Sequence, residues 1–400
     1  MIFESVLEAE KTMVAMPARA IRTFVWDFAD EGVHEVLGRL ADSGVNGVHL
    51  ALACHGGRYY CPHNPKRALV HAPDGALYFQ PLLSCYDEIK PRVHPEFGSG
   101  AFVARLIESM REYDMIATAW VTLFNNQSLS LAFPECTMVN ALGDRLEGTL
   151  CPAHPAVRGY AQALVEDLAH RVGVDMIELQ DFAFPSHDQF IGARWVDVPV
   201  GQGLGYLLSL CFCEHCRRRA EELNLEVDDL AQRVERMLHR ALAGDLSERR
   251  LNDEIADPYN SLARYAEARA GTITTLVDEL NDATDGSHAG LQLVLAEEPD
   301  DAWRWGIELH TLRQRRLRAT LQPGRGPAPR PTFVSRYAEV LQLGRDLAVD
   351  IPLGVPHTDD YSPAGAIQAA LESGIDHFVF SHYGLVPLDM LDWIDALARR

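Results

Sequence analysis

The feature that most restricts the fold is an alternation, repeated eight times along the chain. Short runs rich in β-branched and aromatic residues trade places with stretches whose apolar residues recur at helical spacing. Strands separated by helices rather than tight turns imply parallel pairing, because a parallel neighbour needs a crossover long enough to hold a helix. The strand-like runs are 21–30 (IRTFVWDFAD), 45–57 (VNGVHLALACHGG), 115–126 (MIATAWVTLFNN), 174–185 (VDMIELQDFAFP), 289–301 (AGLQLVLAEEPDD), 317–324, 348–362 and 374–385. Between them lie amphipathic segments such as 101–114 and 155–173, the latter opening on Pro155 and closing on Gly173, as helices prefer. Eight such units predict a (β/α)8 barrel, an α/β TIM barrel spanning 1–400 as one domain. A doubly wound open sheet is the alternative, but no G-x-G-x-x-G follows the first run, and GQGLG at 201–205 lies elsewhere. One stretch, 186–285, shows no strand signal and is expected to be a long helical insertion after strand four.

Charge narrows the function. Lys plus Arg total 36 against 57 Asp plus Glu, a net charge of −21. Such a surface repels phosphate backbones and anionic lipid, so neither nucleic acid nor a membrane is expected as a partner. The N-terminal 24 residues lack a continuous apolar core of the secretory kind, and no apolar run reaches about 18 residues, so a cytoplasmic protein with reduced thiols is expected.

In a barrel of this type the residues at the C-terminal ends of the strands face the substrate. Those ends carry Asp27 and Asp30, then His49, His55 and Arg58, then Asn125 and Asn126. Strand four adds Glu178 and Asp181, strand five Glu297 and Glu298, strand seven His357, Asp359 and Asp360, and strand eight His382 and Tyr383. Carboxylates among aromatic residues suit a carbohydrate. Glycosidic cleavage needs one carboxyl to protonate the leaving oxygen and a second, ionised one to attack carbon or activate water. Glu178, Asp181, Glu297 and Asp359 are the candidates for those roles. Asp27, His49, His55, Arg58, Asn125, His357, His382 and Tyr383 are expected to bind substrate. Glu297 and Glu298 precede a proline, so one of them equally serves as a helix cap, and the adjacent Asp359 and Asp360 must point in different directions. The loop 54–67 (CHGGRYYCPHNPKR) reads either as a cover over a polar ligand or as irregular surface.

A second signal is SLCFCEHC at 209–216. Cys213 and Cys216 form a C-x-x-C pair, a common half-site for zinc, and Cys211, His215 or the remote Cys151 would complete it. The same segment also reads as a helix start in which small cysteines pack inward. No metal is required by the paired-carboxylate reading, so a structural zinc or another divalent ion enters only as an addition.

The strand-four segment VDMIELQDFAFP resembles the motif of glycosyl-hydrolase-like family-10 (DUF187-type) barrels. Asp181 and the aromatic tail to Pro185 match that pattern, while Gln180 stands where the family usually has Asp. The segments PHNPKR, GALYFQP, CPAHPAVRGYA, IELQDF and LLSLCFCEHC are similar to those of uncharacterised bacterial barrel proteins labelled as glycoside hydrolases, over most of residues 45–220. The resemblance implies a barrel and, by label alone, glycosidase chemistry on a small carbohydrate-like substrate. Two other functions fit the same rim: a metal-dependent sugar isomerase, epimerase or lyase, and a carbohydrate-binding barrel without catalysis. The insertion's apolar helix faces need a partner, which a lid over the site or a homo-oligomer would provide.

Overall fold

The computed structural model describes residues 15–186, 200–322, 331–354 and 363–394. Eight parallel strands close on themselves: β1 (Arg19–Phe24), β2 (Gly47–Ala53), β3 (Ile116–Thr122), β4 (Met176–Gln180), β5 (Gly290–Leu295), β6 (Arg318–Leu321), β7 (Leu347–Pro352) and β8 (His377–Ser381). Each pairs with its neighbour in sequence, and β1 pairs with both β2 and β8, which removes every sheet edge within the barrel. The expected (β/α)8 barrel is therefore the fold.

The strands are shorter than the apolar runs. The first run, expected to stay extended to residue 30, stops at Phe24 and turns straight into helix α1 (Val25–Glu31). The cause is local. The Phe24 backbone N–H donates to Asp27 Oδ2 at 2.8 Å, so the aspartate caps its own helix instead of ending a strand. The polar tails of the second to fifth and the eighth runs likewise lie beyond their strands.

Outside the barrel, α2 (Val33–Asp42), α3 (Phe102–Glu112) and α5 (Pro155–Glu166) cover the strands with their apolar faces, while α4 (Gln127–Ala132) is a short helix over the rim. A hairpin, Gly57–Tyr60 with Leu69–Ala72, follows β2. The bottom of the lumen is plugged by Met16, Ala20, Met176, Ala348 and Val379.

The stretch after β4 is helical where it is described: α6 (Gln202–Leu208), α7 (Glu214–Glu221), α8 (Val227–Leu242), α9 (Glu248–Ile255) and α10 (Ser261–Asp282). These helices build a second apolar core, centred on Leu204, Tyr206, Phe212, Leu230, Val234, Leu238 and Leu251. Helix α10 belongs to both cores. Leu262, Tyr265 and Ala268 face the second core, whereas Ile273, Leu276, Val277 and Leu280 pack into the main one. The barrel thus resumes within α10, before residue 285.

Candidate active site

Strand β4 and the residue just past it carry three polar side chains, Glu178, Gln180 and Asp181. In register, Glu178 stands level with Trp120 of β3 and Gln292 of β5, and Arg22 of β1 is level with His49 of β2. These residues point into the lumen, and there they form a sealed polar layer. The Arg22 guanidinium bonds Glu178 Oε2 at 3.1 Å and Asp350 Oδ2 at 2.8 Å. His49 Nδ1 lies 3.1 Å from the same Glu178 oxygen, and the Thr320 hydroxyl donates to Oε1. Gln322 and Ser381 complete the shell of Asp350 at 2.9 and 2.8 Å.

Arg22 and Glu178 are fully buried. Burial alone would push the Glu178 carboxyl up, but Arg22 and His49 beside it hold it well below the usual carboxylate range. Glu178 is thus an ionised anchor inside the barrel, one layer below the mouth. His49 shares that layer. Both were expected at the rim, and the inward face of their strands is the reason they sit deeper.

Above this layer, the Trp120 indole N–H donates to Gln180 Oε1 at 2.7 Å, and the Trp120 ring lies 5.0 Å from the Arg22 guanidinium carbon. His382 stacks on Phe24 and lies tilted beside Trp120, with ring centroids 5.6 and 5.4 Å away. Burial, reinforced by the nearby Arg22 charge, lowers His382 to about 4, so its imidazole is neutral at pH 7. Phe24 itself stacks on Trp26 at 4.3 Å, which makes an aromatic floor under the mouth.

Asp181 follows immediately, with φ +52°. The left-handed turn is tolerated by aspartate better than by most side chains, and it swings the chain out of the strand. Gln180 and Asp181 still accept backbone bonds from Leu123 and Phe124, so the turn is held from below. His55 Nε2 lies 3.2 Å from Asp181 Oδ2, the two side chains being about 24% and 10% exposed. Asp181 and Glu297 line one cavity at the ends of β4 and β5, walled by Phe182, Phe184, Trp305 and Ile307. The structure therefore brings Asp181 beside His55 and sets Asp181 and Glu297 on one cavity.

Other expected residues are placed elsewhere. Asp27 is buried behind the mouth, where burial raises its carboxyl to about 8. Tyr383 is also buried; its hydroxyl donates to Glu31 Oε2 at 2.8 Å, and Glu31 in turn lies 3.1 Å from His63 Nδ1. Those groups pin the 54–67 loop to α1, as do Asn64 and Arg67 through Asp30. This part of the loop is built as structure, although its His55 reaches the mouth. Arg58 is exposed on the hairpin, and Asn125 makes a bridge with Thr149. His357 and Asp359 lie outside the described residues. Sequence reasoning missed Arg22, Thr320, Gln322 and Asp350; the available signal was a charged residue inside an apolar run, the same one that drew attention to Glu178.

The cysteine cluster is separate from the mouth. Cys151, Cys211, Cys213 and Cys216 bring their sulfurs within 4.8 Å of one another. His215 instead packs edge-on against His154 at 4.3 Å between ring centroids.

No family model matches the chain, and neither does any curated protein sequence. Solved structures do. The chain is similar to the glycoside hydrolase domain of PgaB (BpsB) from Bordetella bronchiseptica, with TM-score 0.56 and 12% identity over 95% of this chain and 97% of that one. It is similar to the catalytic domain of β-amylase from Paenibacillus polymyxa, with TM-score 0.54 and 10% identity over 94% and 95% of the two chains. A β-galactosidase from Marinomonas ef1 matches with TM-score 0.53 and 10% identity over 95% of this chain, which spans 59% of the β-galactosidase. At such identities the likeness establishes the barrel that these glycoside hydrolases share.

Proposed function

We propose that this chain is a glycoside hydrolase-type enzyme that takes a small polyhydroxylated substrate at the C-terminal mouth of the barrel. The observation that carries the reading is the cavity shared by Asp181 and Glu297, two carboxylates from adjacent strand ends against an aromatic wall. Cleavage of a glycosidic bond uses such a pair. Asp181, steadied by His55, is the carboxylate that attacks the anomeric carbon or activates water, and Glu297 is the acid that protonates the leaving oxygen. Glu178 acts through the strand: it is a positioning residue that fixes β4, so that Gln180 and Asp181 emerge at a set height. The barrel shared with PgaB, β-amylase and β-galactosidase is consistent with this reading and supplies no residue roles.

The test is turnover of a panel of aryl glycosides by the full chain and by Asp181→Asn and Glu297→Gln. Each variant is expected to lose about 10²–10⁴-fold in kcat/KM, the usual worth of a general acid or base, with an unchanged melting temperature. Full turnover by either variant overturns the pair.

A further inference from the structure

The four clustered cysteines serve no part of the proposed chemistry, and their geometry has a specific meaning. Cys151 Sγ lies 3.4 Å from Cys216 Sγ, 3.6 Å from Cys213 Sγ and 3.8 Å from Cys211 Sγ. Four thiolates bound at about 2.3 Å to one tetrahedral zinc ion stand about 3.8 Å apart. The three separations from Cys151 span 3.4–3.8 Å and all four sulfurs lie within 4.8 Å of one another, a cluster of that size. All eight cysteines of the chain are free thiols in this structure. A disulfide would select one pair, whereas here Cys151 has three sulfur neighbours at similar range.

The surroundings suit thiolates. The Val139 backbone N–H donates to Cys211 Sγ at 3.4 Å. Such N–H···S bonds orient metal-bound sulfur and spread its charge. Cys213 is the N-cap of α7, where the helix dipole favours an anion, and Arg217, Arg218 and Arg219 follow on the same helix. Cys151, Cys211 and Cys216 are buried and Cys213 is partly so, which shields the cluster from bulk water.

We propose that Cys151, Cys211, Cys213 and Cys216 form a structural zinc site of the closed tetrathiolate kind. It joins two parts of the molecule that no strand connects. Cys151 lies in the loop between β3 and α5 of the barrel, and the other three ligands open α7 in the insertion. A single ion would therefore clasp the insertion to the barrel, and its binding free energy would become folding free energy.

The measurement is metal content of the full chain purified without chelator, by elemental analysis, together with cobalt exchange. One zinc per chain is expected, and Co²⁺ in its place should give thiolate-to-metal charge-transfer bands with strong tetrahedral d–d absorption. Cys213→Ser and Cys216→Ser should each lose metal at least tenfold, while Cys85→Ser, an exposed thiol outside the cluster, should keep it. Where a ligand variant fails to fold, the wild type decides: titration with a mercurial should release the zinc as the four cluster thiols react, after the exposed Cys85 has been consumed. Protein that neither carries zinc nor takes up Zn²⁺ under reducing conditions overturns the proposal. So does a disulfide within the cluster, an octahedral cobalt spectrum, or iron as the native ion.

Discussion

Glu178 on β4 and Asp181 just past its end, three residues apart, have opposite environments, and the contrast separates what holds this barrel together from what it offers a substrate. Glu178 is fully buried and saturated by Arg22, His49 and Thr320. Asp181 stands one turn of backbone later at φ +52°, partly exposed, with His55 beside it and an aromatic-walled cavity in front. A fully buried charge held by three partners of its own protein is closed off from a ligand at the mouth. Asp181 stands at the rim, partly exposed and facing the cavity. Position in an apolar run therefore identifies a special residue without saying which kind it is.

The sharpest way to break this contrast is to remove the cation of the sealed layer. Arg22→Met leaves Glu178 and Asp350 facing one another without compensation, and should cost about 3–5 kcal/mol of unfolding free energy by urea denaturation. A cost below about 1 kcal/mol would mean that water reaches the layer and that Glu178 is not sealed. Next in size is Asp181→Asn, whose expected loss appears in turnover and not in folding. Its melting temperature should stay within the shift that about 0.5 kcal/mol produces, as for surface substitutions generally. A Glu178→Gln variant that melts like wild type yet loses turnover would reverse the two roles.

Acid sharpens the comparison further. Glu178 has its folded pKa held below the ordinary value, so its contribution is present above the unfolded pKa near 4.3 and is lost as pH falls toward the folded one. Stability should decline on acidification below about pH 5, and the decline should be shallower in Glu178→Gln when both are followed by denaturation at fixed urea. Asp27 gives a pH dependence of the opposite sign. Its carboxyl is raised to about 8 by burial, so the folded state holds a proton that the unfolded chain releases, and the residue disfavours folding increasingly from about pH 4 to pH 8. Asp27→Asn removes that slope and should gain stability relative to wild type as pH rises through 7, while keeping a cap oxygen for the Phe24 N–H.

What could be read in the sequence follows the range of the interactions involved. The barrel was legible because strand and helix periodicities are local, and eight of them repeat. Glu178 stood out for the same reason, as an acid inside an apolar run. Its partners did not, because Arg22 lies 156 residues away and the other carboxylate on that arginine, Asp350, lies 328 residues from it. Only strand register brings them level. The 21–30 run misled because capping by Asp27 is decided by one side chain, which the alternation of apolar residues does not report. Cys213 and Cys216 announced themselves by spacing, but Cys151 is 60 residues from Cys211 and enters the cluster only through the fold.

Helix α10 carries a consequence for how the molecule comes apart. It runs 22 residues, about 33 Å, with one end buried among the insertion helices and the other under β5. A rod embedded at both ends cannot fray from either without uncovering apolar surface there. Melting of the insertion would strip half of α10, and melting of the barrel would strip the other half. The two cores should therefore lose structure in a single cooperative step, so that deletion of the insertion as a cassette unmakes the barrel instead of trimming it.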